Sequence, residues 1–176
     1  MKASVTFLAL WYSVFATGCS TVRTTYDYDP DADFSSLKTF DWLPVSPESQ
    51  FDDLTVRRIK NAVNRELGAK GYEIVPEKPD FFVAIYLGKA AQREIVDWGY
   101  SRDRFGPHYG AYGSRRIDVY EYEEGTLTLD VLDSADKQVL WRGQATAVID
   151  PYASPEDRTK RINEAVAQLL TGFPPR

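Results

Sequence analysis

The stretch Thr126-Leu127-Thr128-Leu129-Asp130-Val131-Leu132 alternates apolar and polar residues and decides the fold class. Leu127, Leu129 and Val131 share one face, which is the two-residue period of a strand with one side buried. Asp133-Ser134-Ala135-Asp136-Lys137 is rich in turn formers. Beyond it Val139, Trp141, Gly143, Ala145, Ala147 and Ile149 fall on one face of a second strand, so the pair reads as a hairpin. Arg142 points opposite Trp141 and is in position to pair with Asp130 across it. As an exposed pair that contact would contribute about 0.2–1 kcal/mol.

On the C-terminal side the period changes to that of a helix. Ser154 is an N-cap, Pro155 suits the first turn, and Glu156 and Asp157 suit its positive end. Ile162, Ala165, Val166, Leu169 and Leu170 form an apolar stripe, closed by Gly172 and Pro174-Pro175. On the N-terminal side Phe81 to Leu87 is almost wholly apolar, as in a central strand buried on both faces. Before it, Leu54, Ile59, Ala62, Val63 and Leu67 mark a helix from Asp52 to Lys70 that ends at Gly71. Tyr72 to Val75 follows as a short strand. Earlier strands are expected over 21–28 and 37–43, separated by Asp29-Pro30-Asp31-Ala32-Asp33, with Phe40 and Trp42 on one face. The expected class is α+β: a mainly antiparallel sheet with two amphipathic helices on one face.

Residues 89–117 have no clean period and read as a long loop rich in Gly, Tyr and Arg. Loops of this length in compact domains carry function or are disordered. Trp98, Tyr100, Arg102, Arg104, Phe105, Tyr109, Tyr112, Arg115 and Arg116 are the candidate partner-binding residues. Aromatic rings stack on sugars and apolar surfaces, and Arg pairs with carboxylates and phosphates. The bland alternative is that the rings pin the loop to the core while the arginines stay solvated.

The chain start concerns location. Lys2 precedes an uncharged apolar run from Ala3 to Ala16, shorter than the roughly 20 residues of a bilayer-spanning helix. The run closes on Phe15-Ala16-Thr17-Gly18-Cys19, which reads as a bacterial lipoprotein signal cleaved after Gly18, with Cys19 carrying lipid. Several acyl chains on one residue far exceed the hold of one, at about 0.8 kcal/mol per buried methylene. Ser20, in place of Asp, favours the outer membrane over the inner. The expectation is a signal peptide over 1–18 and one lipid-anchored periplasmic domain over 19–176. Cys19 is the sole cysteine, so no disulfide is expected.

The formal net charge is −5, which argues against general nucleic-acid binding. Asp27, Asp29, Asp31 and Asp33 alternate, but an EF-hand loop needs Gly at its sixth position and Glu at its twelfth. From Asp29 those positions hold Phe34 and Phe40; from Asp27, Ala32 and Lys38. A solvated, turn-forming acidic linker is the better reading. His108 is the sole histidine, too few for a typical zinc site, and no nucleophile-elbow sequence is present. Neither a cofactor, a metal nor catalytic residues are assigned.

These segments together resemble the bacterial lipoprotein family "domain of unknown function 4136". The resemblance rests on Tyr26-Asp27-Tyr28-Asp29, Ala32-Asp33-Phe34, Lys38-Thr39-Phe40-Asp41-Trp42, Leu67-Gly68-Ala69-Lys70-Gly71-Tyr72, Pro79-Asp80-Phe81, Gly125-Thr126-Leu127-Thr128-Leu129-Asp130 and Leu140-Trp141-Arg142-Gly143. It implies an α+β envelope lipoprotein and supplies no catalytic residues. The functional expectation is a non-enzymatic structural, assembly or binding role at the outer membrane, with an envelope protein or glycan as partner. A periplasmic enzyme acting on an envelope polymer is the alternative. A small-ligand carrier would need a pocket between sheet and helices.

Overall fold

The computed structural model describes residues 22–44, 52–100 and 115–175. Six strands form one sheet: β1 (Arg23–Tyr28), β2 (Thr39–Trp42), β3 (Glu73–Ile74), β4 (Phe81–Tyr100), β5 (Arg115–Asp133) and β6 (Val139–Ile149). Their order is β1-β6-β5-β4-β2-β3, antiparallel except that β2 runs parallel to both β3 and β4. Helices α1 (Asp53–Ala69) and α2 (Pro155–Leu169) cover one face, and a single 3-10 turn, Leu170–Gly172, ends the second helix. The α+β expectation holds.

Local chemistry sets the boundaries. Asp52 caps α1 through its carboxylate, which accepts from the Thr55 amide and hydroxyl, both at 2.8 Å. Ser154 caps α2 by accepting from the Asp157 amide at 3.1 Å. Gly71 follows α1 at φ +89°, a left-handed conformation that disfavours any residue with a Cβ. Asp80 ties β2 to the start of β4: one carboxylate oxygen accepts from the Lys38 and Thr39 amides at 2.9 and 2.8 Å. Those two amides, with the Thr39 hydroxyl, hold the Asp80 carboxyl below its usual range.

The core between sheet and helices is aromatic at one end. Phe40 stacks on Phe81 at 5.6 Å, and Phe173 meets Trp141 at 5.4 Å and Tyr72 at 5.6 Å. The Trp141 indole donates to the Gly172 carbonyl at 3.1 Å. A Cβ on Gly143 would lie 2.2 Å from the Trp141 ring and 2.7 Å from Leu169, so glycine is what lets both pack there.

Five expectations are corrected. Phe81 to Leu87 is not buried on both faces: Phe81, Val83 and Ile85 face the core, while Tyr86 on the opposite face is 54% exposed. Residues 89–100 and 115–117 are not loop; they belong to β4 and β5, paired from Lys89↔Gly125 to Tyr100↔Arg115. From Lys89 to Asp97 and from Ile117 to Glu123 no side chain is buried, and burial is what imposes alternation, so this stretch shows no period. Leu54, in the first turn of α1, is exposed rather than part of the buried stripe. Val139 leaves the Trp141 face because the register shifts between Val131 and Leu132, and a bulge moves it onto the Leu132 side. The Asp130–Arg142 pair is not an exposed one: Asp130 is 1% exposed, and Arg142 reaches its Oδ1 at 2.7 Å. That hydrogen bond and the adjacent negative charge raise the guanidinium above its ordinary value.

Candidate functional site

An open cleft of about 410 Å³ lies between the helices and the sheet, at the end away from the aromatic core. It exists because inward side chains shrink along the sheet. On β6 the face runs Trp141, Gly143, Ala145, Ala147; on β5 it runs Leu129, Leu127, Gly125. A Cβ on Gly125 would come within 3.0 Å of Ile149, so glycine leaves room for the isoleucine that closes one wall. Ile59 of α1 with Ile162 and Ala165 of α2 form the roof, and Leu87 the far side. Ile162 and Ala165 are only half-buried, since the cleft lies beneath that half of the helix.

The walls are apolar and the rim is charged in balance. Asp52, Glu123 and Asp150 face Lys89, Arg158 and Arg161 around it. Arg161 approaches Asp150 at 3.5 Å. Arg158 donates to the carbonyls of Ala153 at 3.1 Å and Pro151 at 2.9 Å, fastening the loop after β6 to α2. The Thr55 hydroxyl and amide hold the Asp52 carboxyl below its ordinary value, so it stays charged at neutral pH. An apolar floor with convergent polar groups at its mouth, in the volume range of about 300–1,000 Å³, is the usual form of a small-molecule site. Its chemistry suits holding an apolar group with a polar end.

The second exposed feature is the far part of the β4–β5 hairpin. Strand β6 accompanies β5 only as far as Glu123↔Ile149, after which β4 and β5 continue alone. From Glu123 to Arg115 this two-stranded ribbon is about 27 Å long at about 3.4 Å per residue. It carries Ile95, Ile117, Val119 and Tyr120 in the open.

The sequence-based candidates divide between the ribbon and the rest of the chain. Trp98 and Tyr100 belong to the end of β4, and Arg115 and Arg116 to the start of β5, with Tyr100 opposite Arg115. Arg102, Arg104, Phe105, Tyr109, Tyr112, His108 and Cys19 lie outside the described residues. The described candidates belong to the ribbon's far end. Sequence reasoning missed the cleft, although its signal was present: an inward face dwindling from Trp141 to Ala147 cannot fill the space beneath a helix. Among the described residues no group of three or more acidic, His or Cys side chains is placed to hold a metal ion, and no helix is long and apolar enough to cross a membrane.

No curated protein matches this chain in sequence. Among solved structures the fold is similar to a PDZ domain protein from Parabacteroides distasonis, at 14% identity and a TM-score of 0.57. That match covers 89% of this chain but 36% of the other, so the chain spans about a third of that protein. It is also similar to PelC from Paraburkholderia phytofirmans, solved as a dodecamer, at 12% identity and a TM-score of 0.49, covering 88% of this chain and 99% of that one. Likenesses at such identity concern the fold alone. The family model described as "Domain of unknown function (DUF4136)" matches residues 24–175, nearly all of the chain beyond the apolar start, and the protein belongs to that family.

Proposed function

We propose that this protein is a periplasmic lipoprotein, anchored to the outer membrane through Cys19, with a non-enzymatic binding role. The open apolar cleft between the helices and β4–β6 carries the reading. A domain built only as a scaffold gains by filling such a space, because each unfilled apolar contact forfeits packing energy. Here small residues hold it open and charged residues ring it. The class of occupant that fits is an acyl or similar apolar chain ending in a polar group, as in an envelope amphiphile. The anchor supports the reading from another side, since acylated Cys19 would keep the domain beside such molecules.

Two experiments test the two halves. Cys19→Ser in the full chain is expected to release the protein from membranes or leave its signal uncleaved; normal processing with membrane retention overturns the anchor. Titration with a fluorescent fatty-acid analogue is expected to show saturable binding that Ala147→Trp abolishes while the fold persists. Binding that survives the filled cleft would place it elsewhere.

A second reading is favoured by the ribbon. Its far end holds Tyr100 and Arg115 as register partners, so the aromatic- and Arg-rich segment between them begins and ends well away from the core. That segment would then meet an envelope protein or glycan. Removing residues 98–116 is expected to leave a folded domain that no longer captures its partner in envelope crosslinking, and unchanged capture would exclude the segment.

A further inference from the structure

We infer that the free edge of β4 pairs with the same edge of a second copy, in an antiparallel two-fold arrangement centred on Ile95. Strand β2 covers β4 only at Phe81, Phe82 and Val83, with the Leu43 amide bonding the Val83 carbonyl at 2.9 Å. From Ala84 to Tyr100 the other edge of β4 has no strand partner among the described residues. Since Val83 presents its carbonyl to that edge, the odd-numbered residues from Ile85 to Asp97, before the register shift that precedes Tyr100, present their amides and carbonyls there as well. Such a row is a template for another strand, and nature blunts it with proline, short length, bulges or charges that a wrong partner cannot match. This edge is long and contains no proline.

The side chains specify the occupant. Around Ile95 the sequence runs Arg93-Glu94-Ile95-Val96-Asp97, with opposite charges two residues to either side. A two-fold axis at Ile95 sets Arg93 of each copy opposite Asp97 of the other and places Ile95 against Ile95. A centre at Ala91 would oppose Lys89 to Arg93, and a centre at Arg93 would oppose that arginine to itself. Counting the residues of β4, of the registers centred from Ala90 to Val96 only the Ile95 register opposes unlike charges on both sides and like charges nowhere.

The neighbouring strand completes the match. Val119 sits opposite Ile95 within each copy, so pairing creates one cross-sheet row: Val119, Ile95, then Ile95 and Val119 of the second copy. Ile95 is 67% exposed in the single chain, and the pairing shields its outer side with the Ile95 of the second copy. Glu121 already holds Arg93 at 2.8 Å, so the guanidinium would bridge its own Glu121 and the other copy's Asp97. An isologous interface of this kind closes at two copies.

The test uses the full-length chain in detergent, with mass measured by light scattering. Wild type is expected as two copies. Asp97→Arg alone and Arg93→Asp alone each oppose like charges twice and are expected to dissociate roughly tenfold more readily. Mixing those two variants restores both unlike pairs and is expected to regain the two-copy mass. In mild oxidant Ile95→Cys is expected to form a crosslinked pair, and Gln92→Cys is not. A single-copy mass for wild type, or a two-copy mass that neither charge reversal weakens, overturns the inference. So does failure of the mixture to reassemble, or crosslinking at position 92 in place of 95.

Discussion

The inward face of β6 passes through two regions built on opposite principles. At one end Trp141 lies fully buried against Phe173, with Gly143 and Leu169 fitted around it. At the other, Ala145, Ala147 and Ile149 line an open cleft under the first turns of α2. The same strand, sheet and helix take part in both, so the contrast is one of side-chain volume and not of fold. The packed end contributes stability; the open end leaves apolar surface uncovered at the expense of contacts it could have made.

The packed end is where substitution should cost most. Trp141→Ala is expected to lose about 3–5 kcal/mol in denaturant unfolding, since it empties the aromatic cluster and removes the bond to Gly172. A loss below about 1 kcal/mol would show that this end is not the principal core. Arg142→Ala should cost about 2–3 kcal/mol by stranding the buried Asp130 carboxylate. The double change Asp130→Leu with Arg142→Leu should recover most of that loss, and equal destabilisation by both would mean the charges themselves are not the cause.

Asp80→Ala should cost about 1–3 kcal/mol at neutral pH, because two amides and a hydroxyl lose their acceptor. The Asp80 carboxyl is depressed in the folded state, so the unfolded chain binds its proton first as pH falls. Its contribution is therefore full above the ordinary carboxylate value of about 3.9 and lost as pH drops through the lower folded value. Unfolding measured from pH 7 to pH 2 should show a shallower acid loss in Asp80→Ala than in wild type. An unchanged slope would remove Asp80 from the account.

At the open end the same kind of change should be nearly silent for stability. Ala147→Trp is expected to shift unfolding by less than about 1 kcal/mol, because the cleft has room for the ring. Ala62→Trp, at a fully buried site of α1, should cost more than the roughly 1–3 kcal/mol typical of overpacking. If the two substitutions cost the same, the distinction between a packed and an open end fails.

Most of the fold was legible because burial writes itself into periodicity. The hairpin from Thr126 to Ile149, both helix caps, the Gly71 stop and the apolar start of β4 all follow from alternation, capping chemistry or a left-handed turn. The distal ribbon was not legible, since residues 92–97 and 117–122 lie beyond the end of β6, outside the sheet–helix sandwich, and need no inward face. Phe173 was hidden for another reason: a lone aromatic after a helix stop has no periodic context, yet it joins Trp141, Tyr72 and Phe81. The cleft is a property of absent volume. Gly125 and Ala147 look like ordinary strand residues until the helices above them are placed.

Isoleucine methyl groups offer the most direct test of the binding claim, because Ile59, Ile149 and Ile162 line the cleft while Ile95 and Ile117 sit on the ribbon. A methyl NMR titration of the protein with dodecanoate should move the three cleft signals in a saturable way and leave the two ribbon signals in place. Shifts confined to Ile95 and Ile117, or no saturable shift at Ile59, Ile149 and Ile162, would contradict it.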